Sequence, residues 1–277
     1  MTAQKEPNYF SLCHGNMRFD PSTIGPAYHR DFVHDWNAYM DLFREAGEEQ
    51  ARGESSPVYL YDPFAADSIR EQLPACRFVV LLRNPVDRAF SNYVLNLRAR
   101  LEPERNFRKA LNLEEQRIAQ NWWWGFHYFK AGLYSEQLER YFTRFPREQF
   151  LILLYDQWRD DARATFQKVL SFIGVDEHFS PRLGKRFKES KVQNENLIKD
   201  VLDRDSLIKR LFKKTFSQRT RTKVKQYIAG KNSYKPVLDP ESRLYLQERY
   251  QPEIGKLEDL LGQDLSHWLK RGEAVTK

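Results

Sequence analysis

VVLLRNPVDRAFSNY, from Val79 to Tyr93, joins two kinds of sequence. The run RFVVLL (77–82) is apolar from Phe78 onward, the pattern of a strand buried on both faces of a parallel sheet. Arg83 follows at its tip. Asn84 suits a helix N-cap, Pro85 the first helical turn and Asp87 the acid of a capping box. A helix therefore starts near Pro85 and carries Arg88 and Ser91, three apart, on one face. Ligands of such sheets sit at the carboxyl ends of strands. The following helix offers free N–H groups and a positive dipole end to an anion there. A guanidinium grips phosphate bidentately and a hydroxyl adds a donor. Arg83 and Ser91 thus converge on a phosphate, or else Arg83 and Arg88 pair with Asp87 and other surface acids. The residues alone leave both readings open.

Outward from that stretch the same alternation recurs. QFLILLYD (149–156) repeats the buried-strand pattern, and DQWRDDARATFQKVLSFIG (156–174) is an amphipathic helix stopped by Gly174. PVYLYD (57–62) reads as a short strand and PFAADSIREQLP (63–74) as a helix, with Phe64, Ala65, Ile69 and Leu73 at helical spacing. Helices are expected around 106–119, 133–145 and 240–270, and residues 1–56 as irregular chain. Strand–helix alternation without repeats or a linker implies an α/β protein, one parallel sheet flanked by helices, in a single domain over 1–277.

Composition narrows the partners. The 277 residues are 41% hydrophobic and 30% charged, with net charge +7. A basic balance suggests an anionic partner: a nucleotide, a sulfated or phosphorylated substrate, nucleic acid or a membrane surface. Cys13 and Cys76 make neither a disulfide framework nor a zinc quartet, so a reducing, cytoplasmic setting and no metal are expected. The first residues lack the order of a signal peptide, and no apolar run reaches the roughly 20 residues of a membrane span.

The segment LLRNPVDRAFSNY resembles the 3′-phosphate-binding segment of sulfotransferases that use 3′-phosphoadenosine-5′-phosphosulfate (PAPS). KEPNYFS (5–11) is similar to the family's Lys-Glu-x-x-aromatic-Phe segment, and GESSPVYLY (53–61) to its Gly-Glu-x-(Ser/Thr)-Pro-x-Tyr stretch. GLYSEQLERYFTRFPREQFLILLYD (132–156) resembles bacterial-type members. GKNSYKPVLDPESRLYLQERYQPEIGKLEDLLGQDLSHWL (230–269) resembles the C-terminal cofactor loop and closing helix.

The resemblance implies a fold like that of P-loop nucleoside triphosphate hydrolases. It implies PAPS as sulfate donor and Arg83 with Ser91 as the holders of its 3′-phosphate. It makes Glu6 the catalytic base, Tyr134 a cofactor contact, and Lys231 and Lys235 members of the loop that closes over the nucleotide. Otherwise Glu6 reads as a solvated N-terminal acid; His14 and His34 are fallback bases. The family's loop of the form G-x-x-K-x-G-T-(T/S) occurs nowhere in the 277 residues. The resemblance therefore leads to the expectation of a chain lacking the N-terminal strand, that loop and a helix, and so of weak nucleotide binding with poor transfer. The alternatives are a non-catalytic nucleotide-binding relative and a basic peripheral membrane-binding protein that uses the 209–225 stretch.

Two stretches bear on the acceptor, which the resemblance leaves as a glycan, lipid or small molecule. KRLFKKTFSQRTRTKVKQYIAGKNSYK (209–235) holds ten Lys or Arg residues and no acid. Leu207, Ile208, Leu211, Phe212 and Phe216 make its start a basic amphipathic helix, which rests on an acidic membrane surface or packs on the core with a solvated face. No nucleic-acid-binding module accompanies the charge. NWWWGFHYFKAGLY (121–134) is aromatic enough for an acceptor cleft or for a core cap. Ser55 stands where the heparan sulfate branch has Lys, a departure that leans toward the bacterial-type enzymes.

Overall fold

A computed structural model describes residues 4–13, 15, 19–24, 32–48, 51–181, 192–193 and 233–270. In chain order the elements that frame the site are helices α1 (Tyr9–Leu12), α2 (Trp36–Asp41), α3 (Val58–Tyr61) and α4 (Ala65–Gln72), then strand β1 (Phe78–Leu82). Next come α5 (Pro85–Arg98), α6 (Phe107–Asn112), α7 (Glu114–Ala119), α8 (Tyr134–Phe142) and strand β2 (Phe150–Leu154). The chain continues through α9 (Tyr155–Asp160), α10 (Ala162–Ile173), β3 (Val192–Gln193), β4 (Ser233–Tyr234) and α11 (Pro240–Leu261).

β1 and β2 run parallel in register, Phe78 opposite Phe150 and Leu82 opposite Leu154. The parallel pairing with helical crossovers is the α/β architecture expected from the alternation. β1 is less buried than its apolar run implies, with Val79 43% and Leu81 49% exposed. Among the described residues β2 is the strand paired with it, so one of its edges and half its side chains lack the cover a central strand has. The strand expected over 57–62 is a helix instead. Pro57 has φ −58°, Tyr59 N–H donates to the Ser56 carbonyl, and Asp62 N–H closes an i→i+4 bond to Val58. Four apolar and aromatic residues after Ser-Pro fit a helical turn as well as a strand, and the turn buries Val58. The single helices expected over 106–119 and 156–174 are each broken. Asp161 interrupts the second by N-capping α10, its Oδ1 accepting from Ala164 N–H at 2.9 Å. Gly174 ends α10 in the left-handed region at φ 76°, as expected.

α5 forms for the reasons written in its first residues. Asn84 Oδ1 accepts from Val86 N–H at 3.0 Å, and Pro85 fills the first turn. Its inner face, Val86, Ala89, Tyr93 and Leu97, enters a core shared with Leu82, Leu138, Leu246, Tyr250, Ile254 and Trp268. A second apolar cluster gathers Tyr9, Phe10, Tyr39, Ala66, Tyr141 and Phe145 under the N-terminal segment. Gly132 is required where α11 crosses, because a Cβ there would lie 2.5 Å from the Tyr250 hydroxyl. The C-terminal turn fastens both strand ends. Asn84 Nδ2 donates to the Trp268 carbonyl at 2.9 Å, and the Trp268 indole donates to Asp156 at 3.1 Å.

Candidate active site

A cavity of about 440 Å³ opens at the carboxyl end of β1, between α5, α3 and the aromatic segment before α8. Arg83 enters it from the strand tip, and Arg88, Ser91 and Arg98 from α5. Tyr61, Trp124 and Tyr134 close other sides, and among the described residues no acidic side chain lines it. Arg83 and Ser91, read from sequence as a phosphate site, therefore meet in one place, together with Tyr134, the cofactor contact that the resemblance implies.

The competing reading of the arginines, pairing with Asp87, does not hold. Asp87 Oδ1 accepts instead from Arg243 Nη2 of α11 at 2.9 Å. Among the described residues neither Arg83 nor Arg88 has a carboxylate partner. The Arg83 guanidinium lies 5.1 Å from the Tyr155 ring centroid, an electrostatic contact that leaves its N–H fork available. Arg88 donates through Nη2 to the Tyr128 carbonyl, and its buried Nε has no partner. Ser91 is exposed. Tyr134 acts on the backbone: it is buried, and its hydroxyl donates to the Arg83 carbonyl at 3.0 Å. Burial pushes its phenol pKa up, so it stays a neutral donor. Its neighbour Ser135 is fixed to α11, N–H and Oγ donating to Glu253 at 2.6 and 2.7 Å.

The other expected residues lie apart. Glu6 does not line the cavity; its carboxylate is part-exposed and 3.3 Å from Lys5 Nζ. Its segment nonetheless touches the stretch that supplies Tyr61, since Asn8 N–H donates to Ser56 Oγ at 3.1 Å. His34 is exposed. Lys235 is exposed just after β4, which pairs antiparallel with β3 against α5. Lys231, His14 and the basic stretch over 209–225 lie outside the described residues.

The aromatic segment is divided between the core and the cavity wall. Trp123, Phe126 and Tyr128 are core, while Trp124 faces the cavity, its ring 6.1 Å from that of Tyr61. Sequence reading missed Tyr61 and the polar groups beneath. His127 Nδ1 lies 2.7 Å from the Tyr61 hydroxyl, and burial holds the imidazole down at about pKa 4, so it is neutral at pH 7. Glu114 accepts from Phe129 and Lys130 N–H at 2.6 and 2.7 Å, with its pKa pushed up by burial. None of these carries a local sequence signal, because each partner is many residues away.

A guanidinium without a carboxylate partner among the described residues stands at the carboxyl end of a parallel strand, with a hydroxyl-bearing helix beyond it, the place where α/β sheets bind ligands. Residues 27–259 match the sulfotransferase domain model, and the chain belongs to that family. It is 26% identical over 261 residues to the bovine (Bos taurus) bifunctional heparan sulfate N-deacetylase/N-sulfotransferase 2. That alignment covers 89% of this chain and 26% of the relative. Over 166 residues it is 26% identical to heparan sulfate glucosamine 3-O-sulfotransferase 3A1 of Mus musculus, covering 58% of this chain and 40% of the relative. The chain thus spans about a quarter of the first relative's length. The crystal structure of a sulfotransferase from Alicyclobacillus acidocaldarius superposes with a TM-score of 0.73 at 28% identity, covering 96% of this chain and 87% of that one. No described helix is long and apolar enough to cross a membrane.

Proposed function

We propose that the protein, as one domain over 1–277, transfers a sulfuryl group from PAPS to an amine or hydroxyl of an acceptor, with a glucosamine-containing glycan the first candidate, and does so slowly, since its 277 residues hold no G-x-x-K-x-G-T-(T/S) loop for the 5′-phosphosulfate. The observation that carries this reading is the cavity where Arg83, Arg88 and Ser91 meet with no acid in the lining among the described residues. Such a lining attracts a multiply charged anion and leaves the anion as the arginines' partner. The relatives' heparan sulfate acceptors support the glycan.

PAPS supplies the activated sulfur. Arg83 and Ser91 hold its 3′-phosphate, and Tyr134 fixes the Arg83 backbone. Lys231 and Lys235 are assigned to its phosphates on the family resemblance. The acceptor's nitrogen or oxygen bonds to sulfur as the bond from sulfur to the donor's 5′-phosphate oxygen breaks. Glu6, which lies outside the cavity lining, is assigned on the family resemblance to take the acceptor's proton. The two free cysteines fit a reducing, cytoplasmic setting.

The test is calorimetry with 3′-phosphoadenosine-5′-phosphate (PAP) and with AMP, beside transfer of labelled sulfate from PAPS to glycan, lipid and phenol acceptors. PAP is expected to bind at least about 10-fold tighter than AMP, because a charge-assisted bond to the 3′-phosphate contributes roughly 1.5–3 kcal/mol. Equal affinities with no transfer to any acceptor overturn the proposal.

A further inference from the structure

The backbone around Glu6 is unusual. Glu6 has φ 58° and Asn8 φ 55°, both in the left-handed region. Such a conformation costs a non-glycine residue on the order of 1–3 kcal/mol and persists only where the surroundings over-determine it. Pro7 follows Glu6, and proline ordinarily pushes its predecessor into extended backbone. Something in the fold must hold this kink.

The holders are visible. Asn8 Nδ2 donates to the Glu6 carbonyl at 2.8 Å. Asn8 N–H donates to the buried Ser56 Oγ at 3.1 Å, and Ser56 Oγ donates in turn to Glu54 Oε2 at 2.8 Å. From the other side Val33 N–H donates to the Pro7 carbonyl at 3.0 Å. Beneath lies an aromatic floor, with Tyr9 stacked on Tyr39 at 4.9 Å and Phe10 edge-on to Tyr59 at 5.6 Å. Glu54 is itself half-buried, and burial raises its pKa. Each link from Glu54 Oε2 through Ser56 Oγ and Asn8 to the Glu6 carbonyl pairs one donor with one acceptor, and the chain ends on the backbone of the residue whose carboxylate is assigned to the acceptor.

We propose that Asn8, Ser56 and Glu54 are positioning residues that hold Glu6 in its strained backbone and thereby aim its carboxylate. This rests on the reading of Glu6 as the base. The relay also explains why two segments 48 residues apart in sequence work together: the stretch after Gly53 supplies the clamp for the stretch after Lys5. Misplacing a reacting group by about 1 Å costs up to roughly 100-fold in rate, so a loosened clamp shows in turnover before it shows in binding.

Two variants isolate the clamp. Ser56→Ala removes the hydroxyl that joins Glu54 to Asn8, and Ser56→Thr returns one. Asn8→Gly keeps the left-handed backbone without strain but frees the Glu6 carbonyl. The first readout needs no ligand: Asn8 amide exchange by NMR is expected to speed up about 10-fold or more in Ser56→Ala and to recover in Ser56→Thr. The second is turnover with PAPS and de-N-acetylated heparosan. Ser56→Ala and Asn8→Gly are expected to lower kcat roughly 10- to 100-fold with PAP affinity within about twofold, and Ser56→Thr to restore it. An Asn8 amide that exchanges at the wild-type rate in Ser56→Ala overturns the clamp. Full turnover in both Ser56→Ala and Asn8→Gly beside an inactive Glu6→Gln overturns the positioning role alone. Full turnover in Glu6→Gln overturns the base reading, and the positioning role with it.

Discussion

Arg83 and Arg117 are the same side chain in opposite circumstances. Arg117 is sealed inside, forming two bonds to Glu102 at 2.8 and 2.6 Å, with 3% and 0% of the two side chains exposed. Tyr128 donates a further bond to Glu102, and the Trp122 and Phe126 rings lie 4.9 and 5.4 Å from the guanidinium. Arg83 is half-buried, lies over one tyrosine ring and has no described acid beside it. A buried charge that serves the fold is matched by a fixed opposite charge, because leaving it unmatched is costly. A charge left unmatched at a cavity is matched by what enters. The contrast separates architecture from binding without reference to any relative.

The largest expected effect breaks the architectural half. Glu102→Ala leaves Arg117 buried and alone, and urea denaturation should show a loss of about 3–5 kcal/mol. A loss below about 1 kcal/mol would mean that water or rearrangement satisfies Arg117.

The buried side also has a pH signature through His127. In the unfolded chain the imidazole binds its proton near pH 6.5, and in the folded protein only near pH 4. The unfolded state therefore takes up the proton first as pH falls. His127 stabilisation is complete above about pH 6.5 and is lost progressively toward pH 4, by on the order of 3 kcal/mol. Glu54 and Glu114, whose pKa values are raised, act with the opposite sign over part of that window. Comparing the pH dependence of stability in wild type and His127→Gln isolates the histidine: the variant should lose less stability on acidification.

At the cavity the expectation reverses. Arg83→Ala should weaken PAP binding by roughly 10- to 150-fold, corresponding to about 1.5–3 kcal/mol, and AMP binding far less. Its folding stability should change by no more than about 0.5 kcal/mol. Equal losses for PAP and AMP would move the 3′-phosphate elsewhere. The smallest effect sharpens the boundary between the two classes. Asp87→Asn removes the part-exposed pair with Arg243, worth about 0.2–1 kcal/mol. It should leave PAP affinity within about twofold, whereas a tenfold gain would show that Asp87 competes with the ligand for Arg83.

The same contrast shows why the cavity was more legible than the core. Arg83, Asn84, Pro85 and Ser91 are neighbours in sequence, and each follows a local rule: an apolar strand, a cap, a helical turn and a three-residue spacing. The parallel pair β1–β2 was legible for the same reason. The 57–62 segment was misread because four residues satisfy helix and strand patterns alike, and what decided was the burial of Val58. Glu102 with Arg117 and Ser135 with Glu253 left no trace, because their meaning lies in partners 15 and 118 residues away. Glu6 was named through family resemblance, yet the kink that shapes it depends on Ser56, which no local pattern joins to it. Residues 27–259, which match the family model, begin after Glu6.

The bond from Asn84 to the Trp268 carbonyl spans 184 residues. Asn84 caps the helix that presents Ser91, and it is the residue after Arg83. During synthesis at about 5–20 residues per second, Trp268 is made about 10–40 s after Asn84. β1 and the start of α5 therefore exist as nascent chain well before the turn that fastens them. α11, which supplies Glu253 to Ser135 and Tyr250 to the Phe129 carbonyl, is equally late. The anion corner is completed only once α11 and the turn after it have been made, and a ribosome stalled anywhere between Arg83 and α11 holds a chain with Arg83 in place but no finished site around it.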